Sequence, residues 1–320
     1  TDTELDQKLI AEMVEKIVDG TYPNVHSILI LKDNKLVFEE YFYEHNKNKL
    51  HELRSATKSF ISALTGIAIE KKYIKSVNEK ILPYFPEYTF KNITDQKKEI
   101  TIENLLTNQS GLDCDVYNSK AYGNESEMAY KEDWIQYSLD LPMNDSAGGI
   151  GKYCSSNPII MGRIIEKATK MTLPEFAEQT LFKNLGIKKY EWNFKPDPSS
   201  AETFCQLNLM SRDIAKFGLL YLNNGLWNGK QVISKEWVEQ SLAKHTVIAG
   251  LDYGYLWWTR YLDANGTRYY GKLAQGNGGQ KLYVFKEQNL VVVITAGHYN
   301  MQSSSNELVS KYILPAFNKK

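Results

Sequence analysis

The stretch Arg54-Ser-Ala-Thr-Lys-Ser-Phe60 sets a serine and a lysine three residues apart at the head of an apolar-periodic run. On a helix, positions i and i+3 share a face, so the Ser55 hydroxyl and the Lys58 amine can meet. A serine at a helix start gains twice. The helix dipole favours negative charge developing on its oxygen, and its unpaired backbone N–H can donate to an oxyanion. A lysine one turn on can serve as its base where burial or a neighbouring cation disfavours the ammonium form. The spacing alone decides nothing, because Ser241-Leu-Ala-Lys244 repeats it.

The elements that must hold such a pair can be read from periodicity. Phe60, Ile61, Leu64, Ile67 and Ala68 make the run after Ser55 a buried helix. Residues 4–18 are apolar at helical spacing, and two strand-like runs, HSILILKD and KLVFEEYFY, flank Asp33-Asn34, a good hairpin turn. Near the other end, YGYLWWTRYL, KLYVFKE and NLVVVITAG are β-branched and aromatic, broken at Ala264-Asn265-Gly266 and Glu287-Gln288-Asn289. A helix over roughly 304–316 closes the chain. The expected architecture is therefore α/β in the α+β sense: an antiparallel five-stranded sheet built from both chain ends, with flanking terminal helices and an all-helical insertion. The expected division is one domain, 1–320, with a sheet subdomain (1–54 and 246–320) and a mainly helical one (55–245).

Composition narrows the function classes. The 38 basic and 38 acidic residues balance, so no charge excess favours nucleic acid or an anionic membrane. No apolar run approaches the roughly 18 residues of a membrane span. The first residues, TDTELDQK, lack the basic and apolar regions of a signal peptide. The five histidines (26, 45, 51, 245, 298) are scattered and the three cysteines form no CxxC, so the histidines read as isolated surface or packed residues and no structural metal site is expected.

Two further features give Ser55 and Lys58 a context. Tyr153, in GKYCSSNPIIMGRIIEKATK, precedes a second amphipathic helix, and KLAQGNGGQKLYVF is a glycine-rich turn running into a strand. In this order, with ITIENLLTNQSGL at 100–112 and the segment 209–238, they make most of the chain resemble the class C β-lactamase-related serine hydrolases. That group includes penicillin-binding DD-peptidases, esterases and 6-aminohexanoate-dimer hydrolases. The resemblance implies a β-lactamase/transpeptidase-like fold, with Ser55 as acyl-forming nucleophile, Lys58 as proton acceptor and Tyr153 as the tyrosine of Tyr-x-Asn. A phenol beside Lys58 can pass the proton from Ser55 to the leaving group. The N–H of Asn277, after Gly276, would pair with that of Ser55 around the oxyanion.

The chain departs from the pattern twice. Ser155 stands where the asparagine of Tyr-x-Asn belongs, with Asn157 two residues on. The Lys-Thr-Gly slot is filled by Ala274-Gln275-Gly276, and Lys272 comes two residues early. Without that lysine to face a carboxylate, the esterase and amidase branch fits better than efficient β-lactam hydrolysis. The rival reading is a non-hydrolytic acyl-accepting sensor of β-lactam or peptidoglycan fragments.

The resemblance also places Cys114 and Cys154 near the site, as a disulfide or as two buried thiols; Cys205 reads as a packed thiol. A disulfide would favour a periplasmic or secreted protein whose leader is absent here, the alternative being a cytoplasmic one. A Cys154 nucleophile lacks a histidine placed to activate it. Trp134, Trp257 and Trp258 either line a substrate groove or fill the core, and His298 either faces the site mouth or ends a strand at the surface. The expected partner is a small-molecule or short-peptide substrate, with no metal or organic cofactor. No feature sets an oligomeric state.

Overall fold

The computed structural model describes residues 5–199 and 206–317. The first helix, α1 (Gln7–Val18), is capped by Asp6, whose carboxylate accepts the N–H groups of Lys8 and Leu9, and it buries Ile10, Met13 and Ile17. The strands β1 (Val25–Lys32) and β2 (Lys35–Tyr41) follow, joined at Asp33-Asn34 with φ of 50° and 63°. Positive φ at both central residues is the turn whose twist matches a two-residue hairpin.

The main sheet has eight strands rather than five. Beyond the first two it contains β3 (Thr246–Ile248), β4 (Leu251–Tyr253), β5 (Trp258–Ala264), β6 (Thr267–Gly276), β7 (Gln280–Phe285) and β8 (Leu290–Ala296). The spatial order is β2-β1-β8-β7-β6-β5-β4-β3, antiparallel throughout, so the first hairpin docks beside the last strand. The extra strands escape a pattern reading for physical reasons. β3 and β4 are three-residue edge pieces around Ala249-Gly250. In β6, buried Tyr269, Gly271 and Leu273 alternate with Arg268, Tyr270 and Lys272, a strand whose apolar signal is diluted by one glycine and two cations.

Both faces of the sheet are covered. Ile28, Ile30, Val292, Ile294, Tyr283 and Phe285 face α1 and the closing helix Ser305–Leu308, which continues as a π-helical turn over Val309–Ile313. Leu29, Leu31, Val291, Val293, Leu282 and Val284 face the larger core beneath the helices. This double burial is why β8 reads as unbroken apolar sequence.

The middle of the chain is mostly helical, though not wholly so. His51–Glu52, Leu207–Leu209 and Tyr190–Trp192 form a small antiparallel sheet, and its first strand runs directly into the turn that carries Ser55. Three helices dominate: α2 (Thr57–Glu70), α3 (Ser156–Thr169) and α4 (Ser211–Leu222). α2 is buried on nearly every side, with Phe60 stacked on Phe217 of α4 at 3.8 Å between ring centroids. Its Gly66 lies under Trp237, whose indole N–H donates to Ser62 O at 3.1 Å. A Cβ at position 66 would fall 2.3 Å from that indole. Gly66→Ala is therefore expected to cost about 1–3 kcal/mol through overpacking, read as a lowered denaturation midpoint with an unchanged m-value; an unaltered midpoint would contradict the contact.

Candidate active site

Ser55 sits in a single 3-10 turn, Arg54–Ala56, that feeds α2, not on the helix itself. Arg54 adopts φ of 48°, a left-handed conformation that a non-glycine residue holds only under constraint. The constraints are visible. Leu53 N donates to Leu207 O at 2.9 Å, Arg54 pairs with Glu52 at 2.9 Å, and the Arg54 guanidinium lies over the Tyr299 ring at 5.0 Å. One turn on, Lys58 Nζ donates to Ser55 Oγ at 2.9 Å and lies 5.3 Å from the centre of the Tyr153 ring.

Tyr153 is buried among Trp258, Tyr253 and Tyr117, with ring centroids 5.2, 6.2 and 6.0 Å away. Its segment is anchored on both sides. Cys154 is joined to Cys114 by a disulfide with a Cα–Cα distance of 5.2 Å, and Tyr153 O accepts Val116 N at 2.9 Å. Asn108, itself at φ of 57°, holds the segment from below. Its main-chain carbonyl accepts Lys152 N, its side-chain oxygen accepts Cys154 N at 3.2 Å and Asn157 Nδ2 at 2.8 Å, and its amide donates to Tyr253 OH at 3.0 Å. Asn157 is thus committed to the interior and does not stand in for the missing asparagine. Ser155 donates to Glu125 beside Lys58, in a crevice that also contains Arg54 and Thr57.

The third wall is the end of β6. At Gly276 a Cβ would lie 2.1 Å from Leu53 O, so only glycine lets this strand reach the turn that carries Ser55. The Asn277 side chain is tied to Asn300 by reciprocal bonds of 2.8 and 2.9 Å. The turn behind it, with Gly278 and Gly279 at φ of 93° and 91°, is pinned by Gln280. That side chain donates to Ala296 O at 2.6 Å and accepts Ala296 N at 3.1 Å. Lys272 donates to Thr259 Oγ1 at 2.9 Å, and Lys281, its pKa pushed down to about 8 by burial, donates to Gln275 Oε1 at 2.6 Å.

Ser55, Tyr153, Trp258, Gln275, Gly276 and Asn277 line one cavity of about 810 Å³. Among its described lining residues the charged ones are Asp115 and Glu125, both acidic. Four expected residues lie elsewhere or act differently. Trp134 is buried against Phe194 in the helical layer, because its ring faces the core side of its short helix. Trp257 likewise packs on Tyr221 and Phe217. His298 is buried just after β8, bridged to Gly278, and not on the cavity wall. Ser155 is not part of the cavity lining; it lies behind Glu125, to which it donates. The second Ser-x-x-Lys is taken apart by the fold: Ser241 Oγ donates to Val238 O while Lys244 pairs with Asp252. Cys205 lies outside the described residues. Pattern reasoning missed Asn108 and Gln280, although both lie in segments it singled out. A disulfide predicts that the unfolded, unreduced protein exposes one thiol to a titrating reagent and three after reduction. Replacing both Cys114 and Cys154 by alanine should cost about 2–4 kcal/mol of stability.

Over 202 residues the chain is 25% identical to an inferred D-alanyl-D-alanine carboxypeptidase of Salmonella agona (strain SL483), a match covering 56% of this chain and 46% of that protein. The chain thus spans about half the length of the curated relatives it matches. An inferred 6-aminohexanoate-dimer hydrolase from Bacillus anthracis superposes with a TM-score of 0.75 at 20% identity, covering 95% of this chain and 81% of the other. A family VIII carboxylesterase superposes with a TM-score of 0.72 at 14% identity, covering 94% and 93%. These likenesses concern the fold. The family model described as Beta-lactamase matches residues 9–305, and the chain belongs to that family.

Proposed function

We propose that the protein is a serine hydrolase that works through an acyl-enzyme on Ser55 and takes neutral or cationic esters and amides. One observation carries the reading: Lys58 Nζ lies 2.9 Å from Ser55 Oγ and against the Tyr153 ring, at the wall of a cavity large enough for a small substrate. The substrate carbonyl enters between the end of β6 and the nucleophile turn. Ser55 Oγ attacks its carbon while the hydroxyl proton passes to neutral Lys58. The tetrahedral oxygen lies between the main-chain N–H groups of Ser55 and Asn277, whose side chain is already engaged by Asn300. As the C–O or C–N bond breaks, the leaving group takes a proton through Tyr153, leaving Ser55 acylated. Water then loses a proton to the same pair, attacks the ester and releases the acid, which restores the Ser55 hydroxyl.

Charge narrows the substrate. A carboxylate on the acyl donor would meet Asp115 and Glu125, while the lysines nearest the strand end are bonded to Thr259 and Gln275. That wall opposes penicillins and peptide C-termini and favours uncharged or amine-bearing groups. A disulfide beside the site supports an exported location.

The test pairs a short-chain p-nitrophenyl ester with a fluorescent penicillin. Steady ester turnover is expected, falling by at least about 10³-fold in Ser55→Ala, and by about 10²–10⁴-fold in kcat for Lys58→Ala. Activity that survives in Ser55→Ala would overturn the assignment, and a burst of one equivalent without turnover would mark an acyl-accepting sensor instead. Asp115→Asn is expected to raise kcat/KM for an anionic ester several-fold relative to a neutral one, roughly the 1 kcal/mol of a partly screened charge contact; an unchanged ratio would remove the charge argument while leaving the nucleophile assignment in place.

A further inference from the structure

Three of the five histidines, distant in sequence, meet in space. His26 opens β1, His45 lies in the loop after β2, and His51 begins the short strand that leads into the Ser55 turn. One ring nitrogen from each lies within 4.8 Å of the others. His26 Nδ1 and His51 Nε2 are 2.8 Å apart, and the His26 and His45 rings stack at 3.8 Å. This corrects the sequence expectation of isolated histidines: the hairpin and the docking of the small sheet bring them to one edge of the molecule.

We propose that His26, His45 and His51 form a binding site for a divalent transition-metal cation of the zinc type, behind the nucleophile turn and separate from the catalytic cavity. Three details support it. Three imidazoles are a ligand set that holds zinc with a fourth position open to water. His51 Nδ1 donates to Glu52 O at 3.1 Å, so its Nε2 is an acceptor, and it takes the 2.8 Å hydrogen bond from His26 Nδ1 within the cluster. A carbonyl on the far nitrogen is the usual orienting partner of a metal-bound imidazole. Finally, His45 Nδ1 is buried with no hydrogen-bond partner among the described residues.

Binding requires two movements. Tetrahedral ligands at about 2.0–2.1 Å from zinc stand roughly 3.3 Å apart, so the His26–His51 pair must open by about half an ångström. His45 must turn out of its stack, and it sits between turns rather than in a helix or strand. Glu44 and Lys49, one charge of each sign, flank the rings. His26 and His45 are each partly exposed, which leaves an entry path. A bound ion would tie β1, the loop after β2 and the approach to Arg54 into one unit, a clamp on the strained turn rather than a participant in hydrolysis.

The test uses the full chain without a histidine tag, stripped with a chelator and dialysed against Zn²⁺ or Co²⁺ alone. One equivalent of zinc per chain should be retained, and cobalt should give the visible d–d absorption of a low-symmetry nitrogen site. His45→Ala and His51→Gln should each weaken binding by more than about 100-fold, beyond what loss of an outer partner costs. Zinc should raise the thermal midpoint of the wild type and of Ser55→Ala alike, which separates this site from the hydrolase reading. Absence of stoichiometric uptake by the wild type, or unchanged uptake in either histidine variant, would overturn the proposal.

Discussion

The contact between Gly276 and the carbonyl of Leu53 is the constraint on which the site depends. Two backbones meet there without a side chain between them, one ending a sheet strand and the other entering a helix. The closeness puts the strand end beside Ser55 and holds Arg54 in a left-handed conformation it would not adopt freely. The turn that carries Ser55 is heavily tied as well: Leu207 holds Leu53, and Glu52 and Tyr299 hold Arg54. Strain at such a turn persists only when its surroundings over-determine it.

The other walls follow the same logic with different chemistry. Both loops that complete the cavity are fixed by a single buried amide side chain that uses its donor and its acceptor ends. Asn108 does this for the Tyr153 segment and Gln280 for the glycine turn. An amide suits the task because it donates and accepts at once: Gln280 holds the N–H and C=O of Ala296, and Asn108 accepts Cys154 N while donating to Tyr253 OH. The disulfide adds a covalent tie to the same tyrosine segment. Under the proposed hydrolysis little would need to reorganise as charge develops on an oxygen held there, because the dipoles are already in place.

Much of this was legible from the residue order. Strong periodicity marked α1, α2, α3 and the long apolar strands, because a helix or strand buried on one side or both leaves a repeating signature. Ser55, Lys58 and Tyr153 stood out once the glycine-rich strand was added, and the structure brings Ser55, Lys58 and Tyr153 together. The short edge strands β3 and β4 were invisible because three residues cannot establish a period. Trp134 and His298 were misplaced because an aromatic or a strand-end histidine has the same local pattern whether it faces a cavity or the core.

The sequence by itself determined the element types, the hairpin turns and the candidate nucleophile with its partner, since these depend on side-chain period, φ preference and neighbours a few residues away. Tertiary structure alone decided which of two identical Ser-x-x-Lys spacings faces a cavity, that Asp115 and Glu125 line it, and that Cys114 and Cys154 are bonded. It also gathered His26, His45 and His51, whose separation along the chain carries no trace of their contact. Those properties depend on distances between segments remote in sequence, set by the docking of the first hairpin beside the last strand and of one glycine against one carbonyl.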